Sequence, residues 1–241
     1  MLTTENNNFK MGLRDGVPIC VGYIPVSFAF GMFATSQGLT FLEALLISML
    51  NVTSAGQLAA VPIIALGGGF FELGLTQLVI NMRYSLMSVS LSQRFGESVR
   101  LRDRFIIAFV NTDEVFAMAM SKEAILGRSY LFALILTPFI GWTVGTALGA
   151  AAGNILPEIV SSAIGIAIYA MFLAILIPAA RADKNTALCI LLSAALSCLF
   201  FFVPGLNAIP SGFIIIICTV CAGLLFALVA PIKDGEGEEN A

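Results

Sequence analysis

The chain contains a succession of apolar runs, each about 17 to 25 residues long and joined by short connections. A helix rises 1.5 Å per residue, so about 20 residues cross the roughly 30 Å hydrocarbon core of a bilayer. Only helices and closed barrels satisfy every backbone group in lipid, and a barrel would show alternating segments of about ten residues. The runs therefore predict an all-α polytopic transmembrane helical bundle with about seven or eight hydrophobic segments.

The composition supports a membrane protein. Of the 241 residues, 59% are hydrophobic and 11% are charged, and the mean hydropathy is +0.96. A soluble domain is about a quarter charged. The net charge of −3 suggests no nucleic-acid partner. We expect a single transmembrane domain over 1–241 in a lipid bilayer, with a polar amino-terminal segment at 1–16 and an acidic tail at 232–241.

The chain contains no histidine. That absence excludes haem ligation by histidine, H-E-x-x-H metalloproteases and Ser-His intramembrane proteases. Cys218 and Cys221 form a C-x-x-C, but they lie in IIIICTVCAGLLF, where packing is the expected role of a cysteine. We therefore expect no enzyme activity, no cofactor and no metal site.

Residues 70–92 are long enough to span a bilayer but carry Asn81, Arg83 and Tyr84 near their middle. An arginine at the bilayer centre costs about 2.5–3.5 kcal/mol on insertion scales. It therefore implies a partner, a water-filled cavity or a broken helix. The alternative is that Arg83 extends to an interface, or pairs with an acid only to assemble the bundle.

Two more apolar runs are interrupted by polar residues. In 41–66 the interruption is NVTSAGQ at 51–57, where Ser54, Gly56 and Gln57 weaken a helix and offer polar groups. A polar face packed on neighbouring helices is the alternative. We expect a helix break at 51–57, and the runs around 81–84 and 111–114 are the other two interrupted segments.

The third interruption places Asp113 and Glu114 at the centre of 105–121. Seventeen residues barely cross a bilayer, so this run is either re-entrant or a helix lining a cavity. Neighbouring carboxylates point about 100° apart on a helix, so one of the two is expected to face a given site.

Beyond this run, glycines recur every fourth residue at 141, 145, 149 and 153. Such a face allows another helix to approach closely. Further spans are expected at 158–180, 186–203 and 209–231, and the first helix at 17–36. Lys10 and Arg14 favour a cytoplasmic amino terminus, and the arginine loop after Ser92 also favours the cytoplasm. Three full crossings would separate these two segments, so either one interrupted run is re-entrant or the amino terminus is outside.

Broken helices at membrane depth form the substrate and ion sites of secondary transporters. The interruptions therefore predict a solute transporter. A guanidinium and carboxylates at similar depth could bind the two charges of a zwitterion, with apolar residues around its side chain.

Three motifs resemble those of a known family. S-A-G-Q-L-A at 54–59, N-M-R-Y at 81–84 and T-D-E-V-F-A at 112–117 are similar, in order and spacing, to the AzlC family. These are the large subunits of bacterial branched-chain amino acid exporters. The resemblance covers about residues 10–230 and is strongest before residue 120. Many members have histidine after the arginine, where this chain has Tyr84, which argues against an imidazole proton carrier at that position.

The resemblance implies a multi-pass protein of the bacterial cytoplasmic (inner) membrane that exports valine, leucine and isoleucine, with methionine as a further candidate. It also implies a hetero-oligomer with a small AzlD-type membrane subunit, and export driven by protons. The sequence has no G-x-x-x-x-G-K-[ST] motif for ATP. We expect the partner to suit the glycine face.

The working hypothesis gives the substrate carboxylate to Arg83 and to amides near Ser54–Gln57. Asp113 or Glu114 holds the ammonium group or accepts the exchanged proton. The candidate substrate-binding residues, taken together, are Ser54, Gly56, Gln57, Asn81, Arg83, Tyr84, Asp113 and Glu114. The alternatives are a carrier or channel for another small solute or ion, a lipid-modifying membrane enzyme, and a structural subunit of a membrane complex.

Overall fold

The computed structural model describes residues 5–122, 124–153, 173, 176–178, 180, 181 and 183–229. These residues are almost entirely helical, and the predicted all-α membrane bundle is confirmed. The predicted span at 158–180 lies mostly outside the described residues, and the tail at 232–241 lies wholly outside them. The described residues fall into two compact units, one containing those of 5–61 and 80–153 and the other those of 62–79 and 173–229.

The elements follow one another along the chain with short connections. They are β1 (Glu5–Asn6), α1 (Phe9–Ser36), α2 (Phe41–Leu50), α3 (Ser54–Ala65), α4 (Phe70–Ser92), α5 (Leu101–Phe109), α6 (Asp113–Met120), β2 (Ile125–Leu126), α7 (Arg128–Gly153), α8 (Lys184–Phe202), a 3-10 turn (Leu206–Ala208) and α9 (Ser211–Val229). Among the described residues, α1, α7, α8 and α9 are long and apolar enough to cross a membrane.

Helix α1 begins earlier than the sequence predicted. The expected start was residue 17, but the helix begins at Phe9, where the Asn8 side chain accepts a hydrogen bond from the Met11 N–H at 3.3 Å. Such an N-cap satisfies one of the free amides of the first turn. Gly12 and Gly16 then pack against α7, so this contact also stabilises the polar part of the helix.

The glycine face of α7 packs against α1 along its length. A methyl group added at Gly141 would lie 2.8 Å from the Cys20 carbonyl oxygen, and one at Gly149 would collide with the backbone of Phe28. The two helices run in parallel, because Gly12 lies against Tyr130 and Gly31 lies against Ala150. The predicted close approach is confirmed. The expectation that a partner subunit occupies this face is wrong, because α1 of the same chain already covers it.

Helices α5 and α6 form a helical hairpin. The first turn of α5 is joined to the start of α7 by the Asp103–Arg128 ion pair at 3.0 Å, and the end of α6 is joined to the start of α1 by Lys122–Asp15 at 2.7 Å. We call this side of the first unit the loop end. The helices turn back at 110–112, so the predicted interruption is present and has the hairpin form that a re-entrant segment would take.

Helices α2 and α3 form a second hairpin, which enters from the opposite end. Leu39 donates its N–H to Ala34 at the end of α1, and Ala44 of α2 shares a buried apolar cluster with Ala34 and with Val61 of α3. Both ends of the hairpin therefore lie where α1 finishes. The break is confirmed but shorter than predicted. It covers 51–53, and Ser54, Gly56 and Gln57 belong to α3.

Helix α4 is continuous from Phe70 to Ser92, so a broken helix at 81–84, one of the three possibilities for Arg83, is wrong. Asp113 lies 2.8 Å from Arg83 and balances its charge. The backbone therefore does not have to open to supply a partner.

The amino terminus and the arginine loop lie at the same end of the first unit. The β1 strand pairs with β2 in parallel, and Phe95 of the loop forms a bridge with Leu126. The basic residues at both places therefore lie at one end of this unit, which is the arrangement expected if an interrupted run is re-entrant.

The second unit contains the start of α4 together with α8 and α9. The buried carboxylate of Glu72 accepts a hydrogen bond from the Gly212 N–H at 2.9 Å, at the start of α9. Asp183 caps α8. The Thr186 hydroxyl and the Thr186 and Asn185 amides donate to its carboxylate and lower its pKa.

Candidate functional site

The tips of the two hairpins approach each other across α4. Arg83 Nη2 lies 2.8 Å from Asp113 Oδ2, in the first turn of α6. The same nitrogen donates to the Tyr84 hydroxyl at 2.9 Å, and that hydroxyl donates to Thr53 Oγ1 at 3.4 Å. A polar chain therefore runs from the tip at 110–112, through two residues of α4, to the tip at 51–53.

The ion pair at the centre of this chain is accessible. The side chains of Arg83 and Asp113 are 53% and 47% exposed. The guanidinium also lies 4.7 Å from the centroid of the Tyr84 ring, which orients it by a cation–π contact. Guanidinium has five N–H donors in a fork that matches a carboxylate. The Arg83 guanidinium can therefore bind a second carboxylate without a change in the protein core.

Asp113 and Glu114 face different partners. Thr112 is the N-cap of α6, with Oγ1 accepting from the Val115 N–H at 3.4 Å. Asp113 turns to Arg83, whereas Glu114 Oε2 is hydrogen-bonded to the Tyr23 hydroxyl. The prediction that one carboxylate faces a given site is confirmed, and the one facing Arg83 is Asp113. Both lie in the first turn of a helix, where the macrodipole favours negative charge.

Tyr23 is a site residue that the sequence reasoning missed. It lies midway along α1, is 7% exposed, and donates to Thr112 Oγ1 at 2.6 Å. Its ring packs edge-on against Trp142 of α7, with centroids 5.0 Å apart. The signal was present in the sequence as a phenol in the middle of an apolar span, because a buried tyrosine needs a hydrogen-bond partner.

Buried polar groups without a partner surround the hairpin tips. Among the described residues, both amide atoms of Gln57, the Asn111 Oδ1 and the Trp142 Nε1 are buried without a hydrogen bond. Such groups are rare in native cores and call for an explanation, such as a ligand or a conformational change. Gln57 lies in the first turn of α3, close in sequence to Thr53, and Asn111 lies in the other tip.

Asn111 also forms part of a cavity of about 250 Å³ between α4 and α5. Its Nδ2 donates to Ser88 Oγ at 3.1 Å, which ties the tip to α4 beside the ion pair. The other lining residues are mostly apolar, with Arg104 at the loop end: Val89, Leu91, Ser92, Phe95, Leu101, Phe105, Ile107 and Ala108.

The structure places the predicted residues in four groups. Arg83, Tyr84 and Asp113 belong to the polar chain, together with the unpredicted Thr53. Glu114 lies in a second group with the unpredicted Tyr23. Ser54, Gly56 and Gln57 form the first turn of α3, next to Thr53. Asn81 lies on α4, two residues before Arg83, and is partly buried. In the described part of the chain, no group of three His, Cys, Asp or Glu side chains could hold a metal ion.

A family model described as AzlC protein matches residues 18–156 of the chain. The chain is 28% identical to Inner membrane protein YgaZ of Escherichia coli K12, over 96% of this chain and 94% of that protein. It is 34% identical to an Uncharacterized membrane protein of Archaeoglobus fulgidus, over 70% of this chain and 75% of the relative. A Helicobacter pylori membrane protein is 25% identical over 61% of this chain and 64% of its own length. No solved structure matches the chain.

Proposed function

Because the chain belongs to the AzlC family of membrane proteins, we propose that it is the large subunit of a secondary exporter of branched-chain amino acids. Its substrates are valine, leucine and isoleucine, with methionine as a further candidate. It acts in the bacterial cytoplasmic membrane with a small AzlD-type subunit, and protons drive the export. YgaZ, an inner membrane protein by name, matches nearly the whole chain and supports this location.

The observation that carries the proposal is the Arg83–Asp113 ion pair between the two hairpin tips. A free amino acid carries one carboxylate and one ammonium group. It can bind by exchanging partners, with its carboxylate on Arg83 and its ammonium on Asp113. Each charge of the protein then keeps an opposite charge beside it while the substrate is bound. An ion of a single sign would leave one member of the pair unbalanced.

The first turn of α3 supplies the second half of the site. Ser54, Gly56 and Gln57 lie where the amino-terminal dipole of a helix favours a carboxylate. Gln57 contributes an amide that has no partner among the described residues. Tyr84 follows Arg83 on α4 and fixes the position of its guanidinium by a hydrogen bond and a ring contact. Asn81 lies two residues before Arg83 on the same helix.

Leucine counterflow into proteoliposomes tests the proposal. The chain would be purified with its small subunit, and uptake of labelled leucine against a trapped leucine pool measured. Arg83→Ala and Asp113→Asn are expected to lower the rate about ten- to hundredfold, because hydrogen bonds to charged groups are worth roughly 1.5–3 kcal/mol. Arg102→Ala removes an exposed arginine of α5 and serves as the control.

Normal counterflow in the Arg83 and Asp113 variants would contradict the proposed site. If Arg83→Asp combined with Asp113→Arg restored both the complex and transport, the pair would be structural. Non-saturable leucine flux in the wild type would favour a channel, and wild-type protein that moves other solutes but no branched-chain amino acid would refute the substrate.

A further inference from the structure

We infer that Glu114, Tyr23 and Thr112 form the proton-carrying site of this exporter, separate from the Arg83–Asp113 pair that binds substrate. This inference rests on the proposed function, because it assigns the proton that drives the exchange. Of the two adjacent carboxylates, Glu114 then carries the proton and Asp113 binds the substrate.

Asp113 and Glu114 differ in the charge beside them. Asp113 is paired with Arg83 at 2.8 Å, so its negative charge already has a cation beside it. Glu114 forms no ion pair among the described residues, and its side-chain partner is the neutral hydroxyl of Tyr23. The other described ion pairs, Lys122–Asp15 and Arg128–Asp103, lie at the loop end. Glu114 can therefore bind a proton without giving up an ion pair.

The Tyr23 hydroxyl has one hydrogen but two oxygen partners. The Tyr23 oxygen is within hydrogen-bonding distance of both Thr112 Oγ1 and Glu114 Oε2, but a hydroxyl carries one hydrogen. When Glu114 is ionised, Thr112 donates to Tyr23 and Tyr23 donates to Glu114. When Glu114 is protonated, Glu114 donates to Tyr23 and Tyr23 donates to Thr112. Both contacts remain hydrogen bonds in either state, so the three residues can take up or release one proton without losing a contact.

The group of Glu114, Tyr23 and Thr112, which we call the relay, is covered by protein on one side and open to solvent on the other. Tyr23 and Thr112 are 7% and 6% exposed, and Trp142 covers the tyrosine ring. Glu114 itself is exposed, so a proton can reach it without passing through the core. Two titratable groups interact with it, Asp113 on α6 and Tyr23 on α1, and Arg83 and Tyr84 of α4 lie beyond them.

Transport driven by a pH gradient tests the assignment. In proteoliposomes, Glu114→Gln is expected to abolish net leucine movement driven by an imposed pH gradient. Leucine–leucine exchange, which moves no net proton, should fall far less. Asp113→Asn should lose both activities, because it removes a substrate ligand.

Two matched variants each remove the hydroxyl of one buried tyrosine. Tyr23→Phe should lower gradient-driven transport more than exchange, since it interrupts the relay. Tyr130→Phe is the control, because Tyr130 is also buried and bonded to a carboxylate, Asp15, but at the loop end. Equal loss of net transport and exchange in folded Glu114→Gln protein would overturn the inference.

Infrared difference spectroscopy gives a readout that needs no substrate. Spectra recorded between acidic and alkaline pH should contain a protonated-carboxyl component that is missing in Glu114→Gln and retained in Asp113→Asn. The same component should shift in Tyr23→Phe and stay in place in Tyr130→Phe. If it persists in Glu114→Gln, the proton is carried elsewhere and the inference fails. Wild-type protein that moves no leucine would refute the proposed function, whereas the spectra would still decide the proton site.

Discussion

The α1–α7 pair and the two helical hairpins are held in place by different kinds of contact. The pair consists of unbroken helices whose glycines bring the backbones together. The hairpins consist of short helices that stop where Asn, Thr and Asp residues cluster, and they are held at their tips by side-chain contacts. Close packing thus supplies the rigid part of the first unit, whereas polar contacts hold the part that contains the site.

The largest expected effect comes from breaking the packed pair. Gly149→Ala puts a methyl group against the Phe28 backbone, and such overpacking destabilises by up to about 3 kcal/mol. Gly22→Ala on α1 is the matched control, because a methyl group there meets nothing within 4 Å. Thermal unfolding in detergent measures both. Equal melting temperatures for the two variants would show that the helices can separate without loss.

A smaller effect is expected where a hairpin attaches to the pair. Ser48 of α2 and Thr146 of α7 are fully buried and hydrogen-bonded at 2.7 Å. Thr146→Val leaves the Ser48 hydroxyl buried without its partner, which should destabilise by about 1–2 kcal/mol.

The double variant Ser48→Ala with Thr146→Val is the control for that attachment, because it removes both polar groups. It should be more stable than Thr146→Val alone. If the double variant is less stable by the sum of the two single effects, the hydroxyls act independently and this bond does not anchor the hairpin.

The smallest effect is expected at the entrance of the same hairpin. Thr40 and Glu43 form a capping box at the start of α2, with Thr40 Oγ1 accepting from the Glu43 N–H at 3.3 Å. Thr40→Ala should destabilise by about 0.5–1 kcal/mol, as for other N-caps. Thr40→Ser keeps the acceptor and should be near wild type in the same unfolding assay. A larger loss than in Thr146→Val would mean that the cap, and not the attachment to α7, holds the hairpin.

The sequence predicted those features that depend on neighbouring residues. The breaks near 51–57 and 111–114 follow from local clusters of helix-weakening residues, and the glycine face follows from a four-residue period. Both lie within a few residues of their observed positions. The helices at 184–202 and 211–229 were likewise predicted to within about two residues, because their apolar runs are long and uninterrupted.

The features that depend on distant residues could not be predicted. Helix α4 stays whole because Asp113, thirty positions beyond Arg83, supplies its counter-charge. Tyr23 joins the site because α1 passes the tip of α6, and no local pattern reveals which helix passes a given tip. The occupant of the glycine face was also misassigned, since a small-residue period predicts close packing but does not identify the partner.

The opposite attachment of the two hairpins places their tips on either side of one polar site. The α5–α6 hairpin is attached where α7 begins, and the α2–α3 hairpin is attached where α1 ends. If the chain carries a solute as proposed, withdrawal of one tip would expose Arg83 and Asp113 to a single side, while the other tip would still cover them.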